Sequence, residues 1–238
     1  MTTAILLAAG RSERFGQDKP TFPFGDESLI QRTLRQATQA GIHRFVIVAN
    51  LDNLDLIREQ ADQVAAGQYE IAVQHGRAAD ASVLEGLAVA LAGGCDDVLL
   101  CCTNDIVPDD TISRLMAVPA GERSLTAVTA TLQWSFHGGM LDLDGDQIRG
   151  IIEKPAGGCP PGAAVNIFLH RWRGRDVIDA LADVLADSGQ YEQTITTLLD
   201  EGLDARAIRV DRWVGVKDPA DVQRALALFP DRMAVNQT

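Results

Sequence analysis

Ala4-Ile-Leu-Leu-Ala-Ala-Gly-Arg-Ser-Glu-Arg-Phe-Gly-Gln-Asp-Lys-Pro20 joins a short apolar run to a loop of small and basic residues. The run Ala4–Ala8 has the length and character of a buried strand, and Phe45–Ala49, Glu70–Gln74 and Val98–Cys102 repeat that pattern. Stretches of helical period lie between them. Leu54, Ile57, Ala61 and Val64 share one face of a helix that Gly67 closes, and Gly41 ends the helix before it. Ser28-Leu-Ile-Gln31 and Ser82-Val-Leu-Glu85 read as capping boxes that open two helices. Strands alternating with helices at this spacing predict right-handed βαβ units: an α/β fold of three layers around a mainly parallel sheet. Ligands of such sheets bind at the carboxyl ends of the strands.

The second half is less regular. Leu125–Leu132, Ala164–Leu169 and Ala205–Val210 read as strands, and Met140–Arg149 as a hairpin turning at Asp144-Gly145. Val177–Ala186, Glu192–Glu201 and Pro219–Leu228 read as helices. With no internal repeat, linker or low-complexity segment, residues 1–238 are expected to form one domain with a small antiparallel insertion.

Composition narrows the function. A net charge of −12 argues against nucleic acid, because a polyanion needs a basic face. Ala4–Ala9 is too short to span a membrane and lacks the flanks of a signal peptide, so the cytoplasm is the expected compartment. Cys95, Cys101, Cys102 and Cys159 lack paired spacing and read as small buried residues, and the four histidines form no zinc pattern. Lysine is the informative basic residue. It occurs only as Lys19, Lys154 and Lys217, against 21 basic residues in all, and each lies in a short segment suited to a phosphate, for which a compact ammonium is a point-charge partner.

The loop Gly10–Pro20 lets a ligand approach backbone N–H groups and supplies Arg11, Arg14 and Lys19, the ingredients of an anion cradle. It is neither a Walker P-loop, lacking Gly-Lys-[Ser/Thr], nor a G-x-G-x-x-G fingerprint. Leu-Ala-Ala-Gly-x-x-x-Arg-Phe-Gly-x-x-Lys-Pro resembles the signature of the nucleotidyltransferases with a GT-A-like fold. That family includes sugar-1-phosphate nucleotidylyltransferases, methylerythritol-phosphate cytidylyltransferase and the molybdenum-cofactor guanylyl- and cytidylyltransferases. The resemblance implies that Arg14 and Lys19 hold the triphosphate of an NTP and act in catalysis, while Ala8, Ala9, Gly10 and Arg11 contact the nucleotide.

Further segments extend the resemblance to about residue 229. Gly76-Arg-Ala-Ala-Asp-Ala-Ser-Val-Leu-Glu-Gly-Leu87 is similar to the base-recognition segment of the methylerythritol-phosphate enzymes, which implicates Gly76 and Ser82, with an N-cap as the alternative for Ser82. Gln74 stands where sugar nucleotidyltransferases keep a base-binding glutamine, without the Gly-Thr-Ala that follows it there; the nucleobase stays open. Asp105 ends the run Val98–Asp105 at the place of the family's Mg²⁺ ligand, with a turn or cap aspartate as the alternative, and one or two carboxylates suffice for Mg²⁺. Gly138-Gly139, Glu153-Lys154-Pro155 and Val165-Asn166 resemble sugar-binding elements, implying that Gly139, Glu153, Lys154 and Asn166 bind the acceptor. Trp213-Val-Gly-Val-Lys-Asp-Pro-Ala-Asp221 looks like the family's Trp-x-Asp-x-x-x-Pro-x-Asp, but Gly215 stands where the resemblance implies a second metal aspartate or, in the methylerythritol branch, a phosphate-binding lysine. Lys217, two residues on and on the same face of a strand, could meet the acceptor phosphate, and Asp211 or Asp218 could supply the missing carboxylate.

The resemblance therefore implies an Mg²⁺-dependent transfer of NMP from an NTP to a phosphorylated acceptor, a sugar 1-phosphate first. Residues 1–118 would mainly bind the nucleotide and 119–238 the acceptor. The alternatives are a cytidylyltransferase acting on a polyol phosphate, choline phosphate or phosphonate, and an inactive nucleotide-binding relative.

Overall fold

The structure is a computed structural model that describes residues 1–12, 15–75, 80–119 and 121–230. Its first half runs β1 (Thr2–Leu7), β2 (Pro23–Phe24), β3 (Glu27–Ser28), α1 (Leu29–Gln39), β4 (Phe45–Ala49), α2 (Leu54–Ala65), β5 (Tyr69–Val73), α3 (Ala81–Ala92), β6 (Asp97–Cys102), β7 (Asp105–Ile106) and α4 (Thr111–Ala117). The second half runs β8 (Ser124–Thr131), β9 (Gly139–Asp144), β10 (Gln147–Glu153), β11 (Ala164–Arg173), α5 (Arg175–Ser188), α6 (Tyr191–Asp200), β12 (Asp204–Val210), β13 (Val214–Gly215) and α7 (Pro219–Leu228).

Nine strands form one sheet in the order β5-β4-β1-β6-β11-β8-β12-β10-β9. β5, β4, β1 and β6 are mutually parallel, and β11 is antiparallel to both β6 and β8, so β8 and its parallel neighbour β12 regain the direction of the first four. The β9–β10 hairpin folds over the far side, meeting β12 through Gln147 and Arg206 and β11 through Leu141 and Met140. The parallel strands are covered on both faces, which explains their unbroken apolar runs. Ala4 and Leu6, Phe45 and Ile47, and Leu99 and Cys101 pack on one face against Ile30 and Leu34 of α1 and Ile57 and Ala61 of α2. Ile5, Val46, Val48, Val98 and Leu100 pack on the other against Val83 and Leu87 of α3 and Ile178 and Leu181 of α5.

Ser28 caps α1 in a complete capping box with Gln31, as the sequence predicts. The second expected box does not form. α3 opens after Asp80, and the Ser82 hydroxyl donates instead to Gln74 Oε1 at 2.7 Å, because Ser82 falls inside the first turn rather than before it. β11 runs on to Arg173, beyond the expected Leu169, since pairing with β6 begins at Leu169, where the pairing with β8 slips between Ile167 and His170. β7 and β13 are too short to carry a sequence pattern, yet they pair Val214 with Ile106 and Gly215 with Asp105. The four cysteines are free thiols, and no described helix is long and apolar enough to cross a membrane.

Gly86 sets how closely α3 can approach the sheet. A Cβ there would lie 2.4 Å from Ile5 Cγ2 and 3.1 Å from Val48 Cγ2, both on fully buried residues. A β-branched Ile5 wedged in the core has no room to yield, so overpacking outweighs the gain in helix propensity. Gly86→Val is expected to lower stability by about 2–3 kcal/mol, read as a lower urea midpoint at unchanged slope.

Candidate active site

A cleft of about 880 Å³ opens at the carboxyl ends of β1, β4 and β6, and a smaller one of about 490 Å³ adjoins it and shares Gly10, Arg11, Asn50 and Asp52. This is where a parallel sheet binds ligands, because the loops leaving its strands splay apart there. The loop after β1 is held by its neighbour. Asn50 Nδ2 donates to the Ala9 carbonyl at 2.8 Å, and Asn53 Nδ2 donates to the Ala8 carbonyl and to Asp18 Oδ1, both at 2.8 Å. Asp18 Oδ2 in turn accepts from the Thr21 hydroxyl and backbone N–H. Ala8 is consequently fully buried in the core, whereas Ala9, Gly10 and Arg11 line the cleft. Asn50 and Asn53 belong to none of the sequence motifs. The signal was present in two Asx residues after a strand, where their side chains take over backbone hydrogen bonds.

The loop closes on itself through Ser12, whose φ of 52° is left-handed. Its carbonyl accepts from the Phe15 and Gly16 N–H groups, and its hydroxyl accepts from the Lys19 N–H at 3.0 Å. Lys19 Nζ donates to the Val216 carbonyl at 3.2 Å, tying this loop to the C-terminal segment. Arg14 and Gly76 lie outside the described residues.

Asp105 lies within reach of the Lys19 charge. Its Oδ1 accepts from Trp213 Nε1 at 2.8 Å. Burial pushes its carboxyl up to about 6, against the pull of the Trp213 hydrogen bond, the Lys19 charge, the Phe168 backbone N–H and the Lys217 charge. Lys217 lies beyond the end of β13, its Nζ donating to the His137 carbonyl at 2.7 Å and its N–H to Asp221 Oδ2. The expected understudies for a second carboxylate are otherwise engaged: Asp218 caps α7, and the exposed Asp211 pairs with Arg212. The space at Gly215 is filled by its neighbour, because a Cβ there would lie 2.8 Å from Trp213 Cζ2. A side chain at 215 and an indole reaching Asp105 exclude each other.

The other wall carries the acceptor candidates. Glu153 ends β10 and Lys154 follows it in the cleft, the two joined by an ion pair at 2.7 Å, with Lys154 turned by a left-handed φ of 44°. Gly139, Glu153 and Asn166 converge: a Cβ on Gly139 would lie 2.6 Å from Glu153 Oε2 and 3.5 Å from Asn166 Nδ2. Gln74 and the bonded Ser82 line the same cleft. Glu192, at the start of α6, joins this wall unannounced by any sequence motif. Burial raises its carboxyl, as do the Glu153 and Asp80 charges, while Lys154 opposes them.

Asp105 is thus the carboxylate to which a divalent ion could bind. With one oxygen given to Trp213, and no group of three or more His, Cys, Asp or Glu able to hold a metal among the described residues, an ion would draw most ligands from water and substrate. That donor set fits Mg²⁺, which keeps several waters and needs few carboxylates. It does not fit zinc.

Residues 4–199 match the MobA-like NTP transferase domain. The chain is 24% identical over 249 residues to the bifunctional protein GlmU of Syntrophotalea carbinolica, covering 98% of this chain and 52% of that protein. It is 38% identical over 69 residues to a protein of Pyrococcus horikoshii named as a probable molybdenum cofactor guanylyltransferase, covering 29% of this chain and 36% of that one. It therefore spans about half the length of GlmU and less of the second. A Bacillus anthracis protein assigned as a glucose-1-phosphate thymidylyltransferase, crystallised with sucrose, shares the fold, with a TM-score of 0.80 at 17% identity over 100% of this chain and 98% of that one. A central parallel sheet, a small-residue loop leaving its first strand and a family match over most of its length place this chain in the MobA-like NTP transferase family.

Proposed function

We propose that the protein transfers NMP from an NTP to a phosphorylated acceptor, with release of pyrophosphate, and that the acceptor is a sugar 1-phosphate. The observation that carries this reading is one cleft with two chemically different walls. One is lined by Ala9, Gly10, Arg11 and Asn50, the other by Glu153, Lys154 and Glu192; Lys19 and Lys217 both act on Asp105 by their charge, and Gly139 and Asn166 converge on Glu153. Residues 1–118 mainly form the first wall and 119–238 the second. GlmU and the thymidylyltransferase-like neighbour support a sugar phosphate by their names.

The chemistry asks little covalent help of the protein. The acceptor phosphate has a second pKa of about 6 and is largely ionised near neutral pH, so its oxygen can attack the α-phosphorus without a general base. The new P–O bond forms as the bond from the α-phosphorus to the bridging oxygen breaks, and pyrophosphate leaves with that oxygen. Lys19 and Arg14 hold the triphosphate and offset the charge that gathers on it, while the loop N–H groups fix its path. Asp105 would hold Mg²⁺, which supplies charge neutralisation at the phosphates. Ala9, Gly10 and Arg11 border the nucleotide, with the base toward Gln74, Gly76 and Ser82. Glu153, paired with Lys154, and Asn166 bond the acceptor hydroxyls, and Lys217 contributes positive charge to its phosphate.

The Ser82 to Gln74 hydrogen bond inside the cleft favours a second reading, a cytidylyltransferase for a polyol phosphate, choline phosphate or phosphonate. Pyrophosphate release measured with each of four NTPs against sugar 1-phosphates, polyol phosphates, choline phosphate and phosphonates, with Mg²⁺, separates the two. Turnover with CTP and no sugar 1-phosphate would replace the first reading by the second. NTP binding without turnover for any pair would leave a nucleotide-binding protein.

Within that assay Lys19→Ala and Asp105→Ala are each expected to lower kcat by about 100-fold or more, with unfolding midpoints close to the parent's. Gly139→Ala displaces the flexible end of Glu153 rather than backbone, so it should fold normally, raise the acceptor KM several-fold and leave the NTP KM unchanged. Gly215→Asp restores the carboxylate typical of relatives, yet it is expected to lower activity, because it evicts the Trp213 indole from Asp105. Trp213 fluorescence and the Mg²⁺ dependence of turnover should change together in that variant.

A further inference from the structure

We infer that a buried chain of hydrogen bonds, from Trp172 through Tyr191 and His170 to Asn166, fixes which end of the Asn166 carboxamide faces the acceptor. His170 and Tyr191 are positioning residues in this account, which rests on the proposed transferase reading.

Trp172, Tyr191 and His170 are completely buried, and none lies in the cleft wall. Trp172 Nε1 lies 2.9 Å from the Tyr191 oxygen, the same oxygen lies 2.9 Å from His170 Nδ1, and His170 Nε2 lies 3.0 Å from Asn166 Oδ1. The direction of the chain follows from its first member. An indole N–H can only donate, so the tyrosine oxygen accepts from it; the buried hydroxyl hydrogen then has His170 Nδ1 as its remaining partner among the described residues, and it would go unpaired unless Nδ1 accepts it. A neutral imidazole that accepts at Nδ1 carries its hydrogen on Nε2, where it donates to the amide oxygen. The Asn166 oxygen is thereby committed to the interior. Its NH₂ end is left on the side of Gly139, with Glu153 Oε2 converging on the same space, where it can donate to an acceptor hydroxyl oxygen.

The backbone is bent to make this possible. In a regular strand residues four apart are separated by about 13 Å, too far for Asn166 to meet His170. The slip between Ile167 and His170 leaves Phe168 and Leu169 without counterparts on β8, and that irregularity brings the two side chains together. The Phe168 ring stacks on His170 with centroids 5.2 Å apart and lies 4.8 Å from Tyr191, closing off water. Burial holds the imidazole down to about 3, against the opposing pull of a backbone hydrogen bond at Ile167, so it stays neutral at physiological pH.

Long-range ¹H–¹⁵N correlation spectra of the ligand-free full chain read that tautomer directly, with His170 identified by the pattern lost in His170→Gln. The Nε2–H form, neutral down to about pH 4, is expected from a group held at about 3. An Nδ1–H form, or a charged ring at neutral pH, would overturn the relay. Tyr191→Phe releases the constraint and is expected to raise the acceptor KM about tenfold, roughly the worth of one hydrogen bond, at unchanged NTP KM. An equal rise in both, or in neither, would remove the positioning role. Absence of turnover in the parent protein would overturn the transferase reading while the tautomer still decides the relay.

Discussion

The pairing of Gly215 with Asp105 across the short β7–β13 ladder governs the arrangement of the site. It brings the chain back, more than a hundred residues on, to the carboxyl end of β6, and with it Trp213, Val216 and Lys217. The Trp213 indole then reaches Asp105, the Val216 carbonyl receives Lys19 and the Asn104 amide, and Lys217 comes close enough for its charge to act on Asp105. Gly215 is required because any Cβ would meet the indole. The Trp213 indole thus occupies the space that a side chain at 215 would fill, and its N–H orients Asp105, the candidate metal ligand of the proposed function.

The same logic separates the two basic residue types. Arginines do structural work through fork-shaped, paired hydrogen bonds: Arg171 grips Asp97 and Arg35 grips Glu27. The lysine ammonium groups instead meet individual oxygens: Lys19 the Val216 carbonyl, Lys217 the His137 carbonyl and Lys154 the Glu153 carboxylate. Such contacts are readily exchanged for a phosphate oxygen, since an ammonium has three donors and no fixed plane. Rarity of lysine in an acidic chain thus carries information about placement, although it says nothing about which oxygen each one meets.

Much of this was legible in the sequence because it rests on local rules. The strands β1, β4 and β6 announced themselves as apolar runs, the Ser28–Gln31 box as a cap, and Pro219 as the start of α7. Ser82 misled because its spacing to Glu85 mimics a box, while the hydroxyl found a stronger partner in Gln74, a residue brought near only by the fold. Asn53, Trp213 and His170 act through partners 35, 108 and 21 residues away. No periodicity encodes such pairings. The slip in β11 is equally silent, since Ile167-Phe-Leu-His170 has the composition of an ordinary strand, and only competition between β6 and β8 for its two edges creates the irregularity.

Charge orders the proposed acceptor within the cleft. Asp80, Glu153 and Glu192 gather near Lys154: the hydrogen bond and charge of Glu153 raise the Lys154 ammonium, helped by Glu192 and Asp80, and burial together with the Glu153 and Asp80 charges raises the Glu192 carboxyl. Three carboxylates about one ammonium make a poor seat for a phosphate but a good one for hydroxyls, which donate to carboxylate oxygens. The side of Lys19 and Lys217, whose charges both act on Asp105, is the complementary seat proposed for the phosphate. An acceptor with a phosphate at one end and hydroxyls along its body then has one favourable orientation: phosphate toward Asp105, body toward Glu153 and Asn166. That places the attacking oxygen beside the loop expected to hold the α-phosphorus, so the negative charge of the far wall orients the acceptor instead of merely tolerating it.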